Sequence, residues 1–182
     1  MLPASFVKKT KEGISVQVDF LTSYEVEVGK SKRHLKVQED LFARRTKGCD
    51  IAFEHNWECE LAGKLPGNGI IQLRTTAADI VSAVVMKGHA LDGRLEGNDP
   101  YDIYSMITYY KDGPKAVAEE FSDCLEETLV SDSLSIIKKH FSTRQSDGPA
   151  RVGYFLYPND AVMREKAVTD AYMNLREFFA LL

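Results

Sequence analysis

The sequence predicts an α+β protein in which a small mixed sheet is followed by a C-terminal helical bundle. Three observations lead to this fold class: polar and apolar residues alternate near the N-terminus, turn-forming residues separate short apolar runs, and apolar residues recur every three or four positions after Arg74. We therefore expect a sheet region over residues 1–75 and a helical region over residues 76–182.

The clearest strand signal is Gly13–Leu21, where apolar residues alternate with Ser15, Gln17 and Asp19. A period of two predicts a half-buried strand that carries Asp19 on its polar face. The turn-forming residues 66–69 predict a hairpin over Trp57–Arg74. The other predicted short strands are Cys49–Phe53, Trp57–Leu61 and Gly69–Arg74.

Spacing of three and four predicts helices through the rest of the chain. Thr76 is the expected N-cap of the first helix, with Asp79 three residues later in the position of a capping box. We expect residues 142–153 to form a loop because they are rich in Ser, Gly and Pro. The predicted helices are 75–95, 100–110, 113–129, 131–141 and 158–182.

Charge is distributed unevenly in a chain of 182 residues with a net charge of −4. Residues 1–75 hold 12 Lys and Arg against 10 Asp and Glu, whereas residues 76–182 hold 11 against 17. The basic segments Gly29–Lys36 and Arg44–Lys47 are therefore the place where a weak RNA contact is possible. A solvated basic face explains the same residues.

Cysteine usage and hydropathy favour a cytoplasmic protein without a membrane segment. Cys49, Cys59 and Cys124 are odd in number and lack the spacing of a zinc site, and the four histidines have no metal-ligand spacing either. No apolar run approaches the roughly 20 residues that cross a bilayer. The "GKS" at Gly29–Ser31 is not a phosphate loop, because Tyr24 stands where that motif requires a glycine.

The stretch "NDPYDIYSM" contains two aspartates that call for separate explanations. Asp99 before Pro100 is typical of an N-cap followed by proline at the first helical position. Asp102 lies at the edge of the buried stripe of the same helix, where a carboxylate is costly unless it is paired. Lys87 or Arg94 from the preceding helix is the expected partner, either as a structural ion pair or as part of an anion site.

Asp19 has two explanations as well. It is the solvent-facing half of an alternating strand, or it is a carboxylate ligand for a divalent cation. A cation normally requires a second carboxylate nearby, and this strand contributes none.

With "VQVDFL" at Val16–Leu21, followed by residues 74–107, the chain resembles nucleotidyltransferase-fold proteins of the AbiEii/AbiGii abortive-infection toxin type. The resemblance covers roughly residues 10–145 and rests most specifically on one pattern. A hydrophobic-Asp-hydrophobic step is followed by a Lys and an Arg seven residues apart and then by Asp-x-Tyr-Asp. The matching residues are Asp19, Lys87, Arg94, Asp99, Tyr101 and Asp102.

The resemblance implies Mg²⁺-dependent nucleotidyl transfer from a nucleoside triphosphate, with a cognate antitoxin as a possible partner. It implies that Asp19 is a metal ligand or base and that Lys87 and Arg94 bind the substrate phosphates. Asp102 is then expected to orient Lys87 or to accept a proton, with Asp99 and Tyr101 in supporting positions. Asp19, Lys87 and Asp102 are the expected catalytic residues, and they are expected to share a cleft.

One part of the family pattern is missing, namely a Gly-Ser or Gly-Gly loop followed by an Asp-x-Asp pair. In the family those two aspartates are the principal metal ligands. We therefore expect a partial nucleotidyltransferase-like sheet and an inactive chain. The alternative is a non-catalytic binding or oligomerisation module of the same fold, which forms a homodimer through an exposed sheet edge.

Overall fold

The computed structural model describes residues 5–9, 13–24, 34–65, 67–93 and 98–182, and it confirms the predicted α+β class. The chain divides into two units, Met1–Asp50 and Ile51–Leu182. The predicted division after residue 75 stays a prediction. Within the described residues, no helix has the length and apolar character needed to cross a membrane.

The N-terminal unit contains two small sheets. Strands β1 (Ser5–Lys9) and β2 (Ser15–Asp19) form an antiparallel pair, and a mixed sheet has the order β3-β5-β4, with β3 parallel to β5. The predicted first strand is therefore present as β2. The apolar face of this strand is not buried as predicted, because Val16 is 48% and Val18 is 50% exposed. The strands of the mixed sheet are β3 (Leu21–Ser23), β4 (His34–Gln38) and β5 (Leu41–Thr46).

The C-terminal unit begins with helix α1 (Ile51–Glu54), where the sequence predicted a strand over Cys49–Phe53. The strand prediction is wrong because these apolar residues do not alternate between two faces. Ile51 is buried in the core, whereas Phe53 is exposed. The side-chain amide of Asn56 then donates hydrogen bonds to the Ala52 and Phe53 carbonyls and ends the helix.

The predicted hairpin is present as β6 (Asn56–Lys64) and β7 (Ile70–Ala78), which pair in continuous antiparallel register. It is longer than predicted, because the residues 75–78 that were assigned to a helix continue β7. Helix α2 (Ile80–Gly93) therefore starts later. Its cap is Asp79 rather than Thr76, since an Asp79 carboxylate oxygen accepts the Ser82 backbone N–H at 2.9 Å.

Five further helices follow in the described residues, and two predictions about them are wrong. The helix predicted over residues 113–129 stops at Phe121, and a turn leads from there to α5. Residues predicted as a loop form α6, which accommodates Pro149 because proline is tolerated in the first turn. The helices are α3 (Asp99–Tyr109), α4 (Pro114–Phe121), α5 (Thr128–His140), α6 (Asp147–Leu156) and α7 (Ala161–Leu181).

The core of the C-terminal unit lies among α2 to α7. Phe121 and Phe178 pack edge-to-face there with ring centroids 5.6 Å apart, and both are fully buried. Helices α2 and α5 approach closely at Gly88, where an added Cβ would lie 2.0 Å from the Ser133 hydroxyl oxygen. That hydroxyl donates to the Val85 carbonyl at 3.0 Å, which ties the two helices together.

Candidate functional site

Lys87 on α2 bridges both aspartates at the start of α3. Its ammonium nitrogen lies 2.9 Å from an Asp99 carboxylate oxygen and 2.6 Å from an Asp102 oxygen. The Asp99 side chain is 6% exposed, and the Lys87 and Asp102 side chains are 36% exposed. The expected pairing of Asp102 with Lys87 is therefore present. Asp99 joins the same cluster, although the residues alone predicted an N-cap for it and only the resemblance implied a supporting position.

Asp99 is not the N-cap of α3 as predicted. The helix begins at Asp99 itself, and Asn98 occupies the cap position. The Asp99 side chain turns inward to Lys87, because a buried carboxylate gains more from a cation than from an exposed cap position. Helix α3 thus carries Pro100 in its second position rather than its first.

The charges in this cluster favour a structural role, in which Lys87 joins α2 to α3. Burial disfavours the Lys87 ammonium, but its hydrogen bonds to Asp102 and Asp99 outweigh burial and raise the pKa of Lys87. Lys87 therefore stays charged near neutral pH, where it cannot act as a base. One ammonium also faces two carboxylates, which does not favour an incoming phosphate. The phosphate-binding role of Lys87 stays a prediction.

Two tyrosines of the motif anchor α3 to neighbouring helices. The Tyr101 ring stacks on Phe155 of α6 with ring centroids 4.1 Å apart. The Tyr104 hydroxyl donates to a carboxylate oxygen of Asp170 on α7 at 2.6 Å. Burial and this hydrogen bond raise the pKa of Tyr104. The supporting role predicted for Tyr101 in a catalytic site stays a prediction; the contact observed is the packing of its ring between α3 and α6.

Asp19 lies on the polar face of the β1–β2 hairpin, opposite Ser5. The Ser5 hydroxyl donates to one carboxylate oxygen, and the Gln17 amide donates to both, at 2.9 and 3.2 Å. These hydrogen bonds, that from Ser5 first, lower the pKa of Asp19. The described neighbours Ser5 and Gln17 donate hydrogen bonds to Asp19 and supply no second carboxylate for a divalent cation. The Mg²⁺ site at Asp19 stays a prediction.

The remaining predicted site residues are divided between regions. Asp19 belongs to the N-terminal unit, and Lys87 and Asp102 belong to the C-terminal unit. Arg94 lies outside the described residues, as does most of the basic segment Gly29–Lys36. The shared cleft and the RNA contact both stay predictions.

The β6–β7 hairpin has one apolar and one polar face. Its register places Trp57 opposite Ala77, Leu61 opposite Leu73 and Gly63 opposite Ile71, all on the same face. On the other face Glu60 pairs with Arg74 at 2.9 Å. The apolar face is uncovered: Trp57 is 56%, Leu61 53%, Leu73 40% and Ile71 39% exposed.

A second polar cluster lies at the base of this hairpin. His55 directly precedes β6, and its Nε2 lies 3.0 Å from a Glu127 carboxylate oxygen. The Cys124 thiol completes the group, and the three potential ligand atoms lie within 4.8 Å of one another. Asp79, directly after β7, has a carboxylate oxygen 4.0 Å from the other ring nitrogen of His55.

This cluster is the part of the structure that sequence reasoning missed. Cys124 is buried, and burial followed by the negative charges of Glu127 and Asp79 raises its pKa to about 11. His55 and Glu127 are 72 residues apart, so no local spacing could have connected them. The prediction that no zinc-type site is indicated holds for spacing along the chain, but it overlooked this tertiary grouping.

Comparison with known proteins finds a distant similarity. The chain is 26% identical over 148 residues to an NADH-quinone oxidoreductase subunit of Chlorobium phaeobacteroides, an alignment that covers 76% of this chain and 29% of that protein. The chain thus spans under a third of the relative's length. No family model matches the chain. No solved structure matches it.

These comparisons correct the family resemblance. The similarity to AbiEii/AbiGii nucleotidyltransferases is wrong, because no family model matches and the similarity that is found points to a different protein. The spacing of Lys87, Asp99 and Asp102 that carried the resemblance has a structural explanation, since the three residues form an ion-paired brace between α2 and α3.

Proposed function

We propose that the chain is a non-catalytic assembly module that pairs with a second copy of itself through the edge of β7 that no described strand covers. The observation that carries the proposal is the two-stranded β6–β7 hairpin with its uncovered apolar face. Two strands alone are marginally stable in water, and a hairpin of nine-residue strands is stabilised by further strands.

The edge of β7 is the better pairing edge of the two. Exposed edges are usually protected by charges, proline or bulges. Strand β7 carries one charged residue, Arg74, and its register with β6 is unbroken. Strand β6 carries Glu58, Glu60 and Lys64. Pairing through β7 therefore meets less electrostatic resistance.

The hydrogen-bond phase of the hairpin identifies the groups that β7 offers. The Leu65 N–H donates to the Gly69 carbonyl, and the Asp79 N–H donates to the His55 carbonyl. Hydrogen-bonded and non-hydrogen-bonded pairs alternate along an antiparallel ladder. The backbone groups of odd-numbered residues therefore bond across the hairpin, and those of even-numbered residues point away from the partner strand. Gln72 and Arg74 thus present backbone N–H and C=O groups to a partner strand.

A second copy is the partner that this edge fits. Two identical edges related by a two-fold axis are self-complementary, and each supplies the groups that the other needs. Antiparallel pairing of the two β7 strands brings their apolar side chains, Ile71 and Leu73, side by side on one face. Such cross-strand pairs each contribute roughly 0.2–1 kcal/mol.

Sedimentation velocity on the full chain over a range of concentrations tests the proposal. We expect a dimer that dissociates in Gln72→Pro, because proline removes the outward N–H of β7 while keeping the bonds to β6. The matched control is Ala62→Pro, since Ala62 lies opposite Gln72 and presents its N–H at the free edge of β6. That variant is expected to remain dimeric.

Two results would contradict the proposal. A wild-type chain that stays monomeric at the highest concentration rules out self-association. A dimer that survives Gln72→Pro but is lost in Ala62→Pro places the interface on β6 instead. Circular dichroism on each variant shows whether the fold is retained.

The proposed setting is the cytoplasm, because all three cysteines are free. The Chlorobium relative is by its name one subunit of an oxidoreductase, and a chain that docks into an assembly is consistent with that name. Nucleotidyl transfer, its nucleoside triphosphate and a cognate antitoxin stay untested predictions and form no part of this proposal.

A further inference from the structure

We propose that His55, Cys124 and Glu127 form a zinc-type metal site that fixes the base of the β6–β7 hairpin to the helical body. A nitrogen, a sulfur and an oxygen ligand lie within 4.8 Å of one another. These are the three ligand types that Zn²⁺ takes in proteins, and three of them with a water is a common arrangement.

The geometry lies close to that of a loaded site. In a tetrahedral site with metal–ligand bonds of about 2.0–2.3 Å, ligand atoms are roughly 3.3–3.8 Å apart. His55 Nε2 and the nearer Glu127 oxygen are 3.0 Å apart, a hydrogen-bond distance that has to widen by a few tenths of an ångström to admit an ion. The Cys124 sulfur lies within 4.8 Å of both other ligand atoms, so it has to approach them to complete the shell.

Asp79 occupies the place of an orienting carboxylate. Ligand imidazoles generally direct their other ring nitrogen to a carboxylate or carbonyl, which fixes the ring and its tautomer. Here Asp79 faces His55 Nδ1 at 4.0 Å, and the Asp79 backbone N–H donates to the His55 carbonyl at 3.3 Å. Both residues are thereby held next to each other at the open end of the hairpin, where β6 begins and β7 ends.

Charge balance favours a divalent cation over the metal-free cluster. When Zn²⁺ binds, the Cys124 thiol becomes a thiolate and releases its proton to solvent, and this thiolate and the Glu127 carboxylate both coordinate the ion. The two negative charges then match the two positive charges of the ion.

The location of the ligands gives the site a structural consequence. His55 adjoins the first residue of β6, whereas Cys124 and Glu127 lie in the turn between α4 and α5. One ion therefore joins the hairpin to the helices that carry the core. Pairing through β7 does not involve these residues, so this inference stands independently of the proposed dimer.

Titration of the tag-free, metal-stripped full chain with Co²⁺ tests the inference directly. We expect one Co²⁺ per chain, a near-ultraviolet band from thiolate-to-cobalt charge transfer, and loss of that band on adding Zn²⁺. Cys124→Ser is expected to abolish the band. Cys59→Ser is the matched control, because Cys59 lies on β6 outside the cluster, and it is expected to keep the band.

Further variants test the same site in case the Cys124→Ser protein does not fold. His55→Gln and Glu127→Gln are expected to weaken Zn²⁺ binding measured by calorimetry. Asp79→Asn is expected to weaken it about 10- to 100-fold as the loss of an orienting carboxylate. Asparagine still caps α2, so the fold should be retained.

The inference is overturned if wild-type chain gives no charge-transfer band with Co²⁺. It is equally overturned if the band persists in Cys124→Ser or disappears in Cys59→Ser, since the ion then binds elsewhere. If the ion fixes the base of the hairpin, Zn²⁺ should slow backbone hydrogen exchange next to His55 and Asp79. Unchanged exchange there would contradict this structural role.

Discussion

The helical body and the β6–β7 hairpin both contain regularly spaced apolar residues, but only the body covers them. Val84, Ile103 and Phe121 have no exposed surface. In the hairpin, by contrast, no described residue of either strand is buried. Periodicity therefore shows which face is apolar, while burial depends on what that face meets. The body is stabilised by its own core, whereas the apolar face of the hairpin stays exposed.

The largest expected effect separates the two regions by stability. Phe121→Ala should lower the free energy of unfolding by about 3–5 kcal/mol, because it opens a cavity in a packed core. Trp57→Ala removes a similar aromatic side chain from the hairpin and should cost less than about 1 kcal/mol in the monomer. Urea denaturation measures both. Equal losses would show that Trp57 is buried in solution.

A pair of glycine substitutions sharpens the comparison at the backbone. Gly88→Ala should cost about 1–3 kcal/mol, because the new Cβ meets the Ser133 hydroxyl and Ile137 and must push α2 from α5. Gly63→Ala in β6 meets nothing within 4 Å and should be close to neutral. Thermal melts of both variants test this, and a stable Gly88→Ala variant would contradict the close helix contact.

The Lys87 brace predicts that the stability of the helical body depends on pH. Since folding raises the pKa of Lys87, its contribution is fully present below its ordinary value of 10.5 and is lost as pH rises through the folded pKa. Lys87→Met should cost about 1–3 kcal/mol near neutral pH, because both Asp99 and Asp102 lose the ammonium that lies between them. The difference from wild type should shrink above pH 10.5.

Denaturation of wild type and Lys87→Met at a series of pH values measures that difference. Lys115→Met is the control, because Lys115 forms a weak pair: its side chain is exposed, and its nitrogen lies 4.0 Å from the Glu119 carboxylate. A difference that stays constant into alkaline pH would show that packing, rather than charge, accounts for the effect of Lys87.

The smallest expected effect lies on the polar face of the hairpin. Glu60→Gln breaks the Glu60–Arg74 pair, in which both side chains are largely exposed. Exposed pairs contribute about 0–1 kcal/mol, so unfolding should change by less than that amount. Chemical denaturation measures it. A loss of several kcal/mol would show that this face is covered.

Local patterns predicted many elements correctly. Alternation over Gly13–Leu21 predicted β2, turn residues predicted the β6–β7 hairpin, and spacing predicted α2, α3 and α7. The errors occur where local signals conflict. Gly148 and Pro149 indicated a loop, yet glycine is needed in α6 because an added Cβ would lie 2.7 Å from the His140 carbonyl.

The candidate sites divide in the same way. Proximity of Asp102 to Lys87 was predictable, because both lie on adjacent helices joined by a short connection. The family assignment built on that spacing failed, since an ion pair between neighbouring helices produces the same pattern without any shared activity. The residues alone could not predict the pairing of Asp99, because the same local sequence is compatible with a side chain that caps α3 and with one that turns inward to Lys87.

The sequence by itself determined the α+β class, the strand and helix faces, and the absence of any local metal-binding motif. Only the tertiary structure brought His55, Cys124 and Glu127 together and left the hairpin uncovered. The physical reason is that periodicity is set by neighbours along the chain, whereas ligand clusters and burial are set by segments that meet only when the core forms.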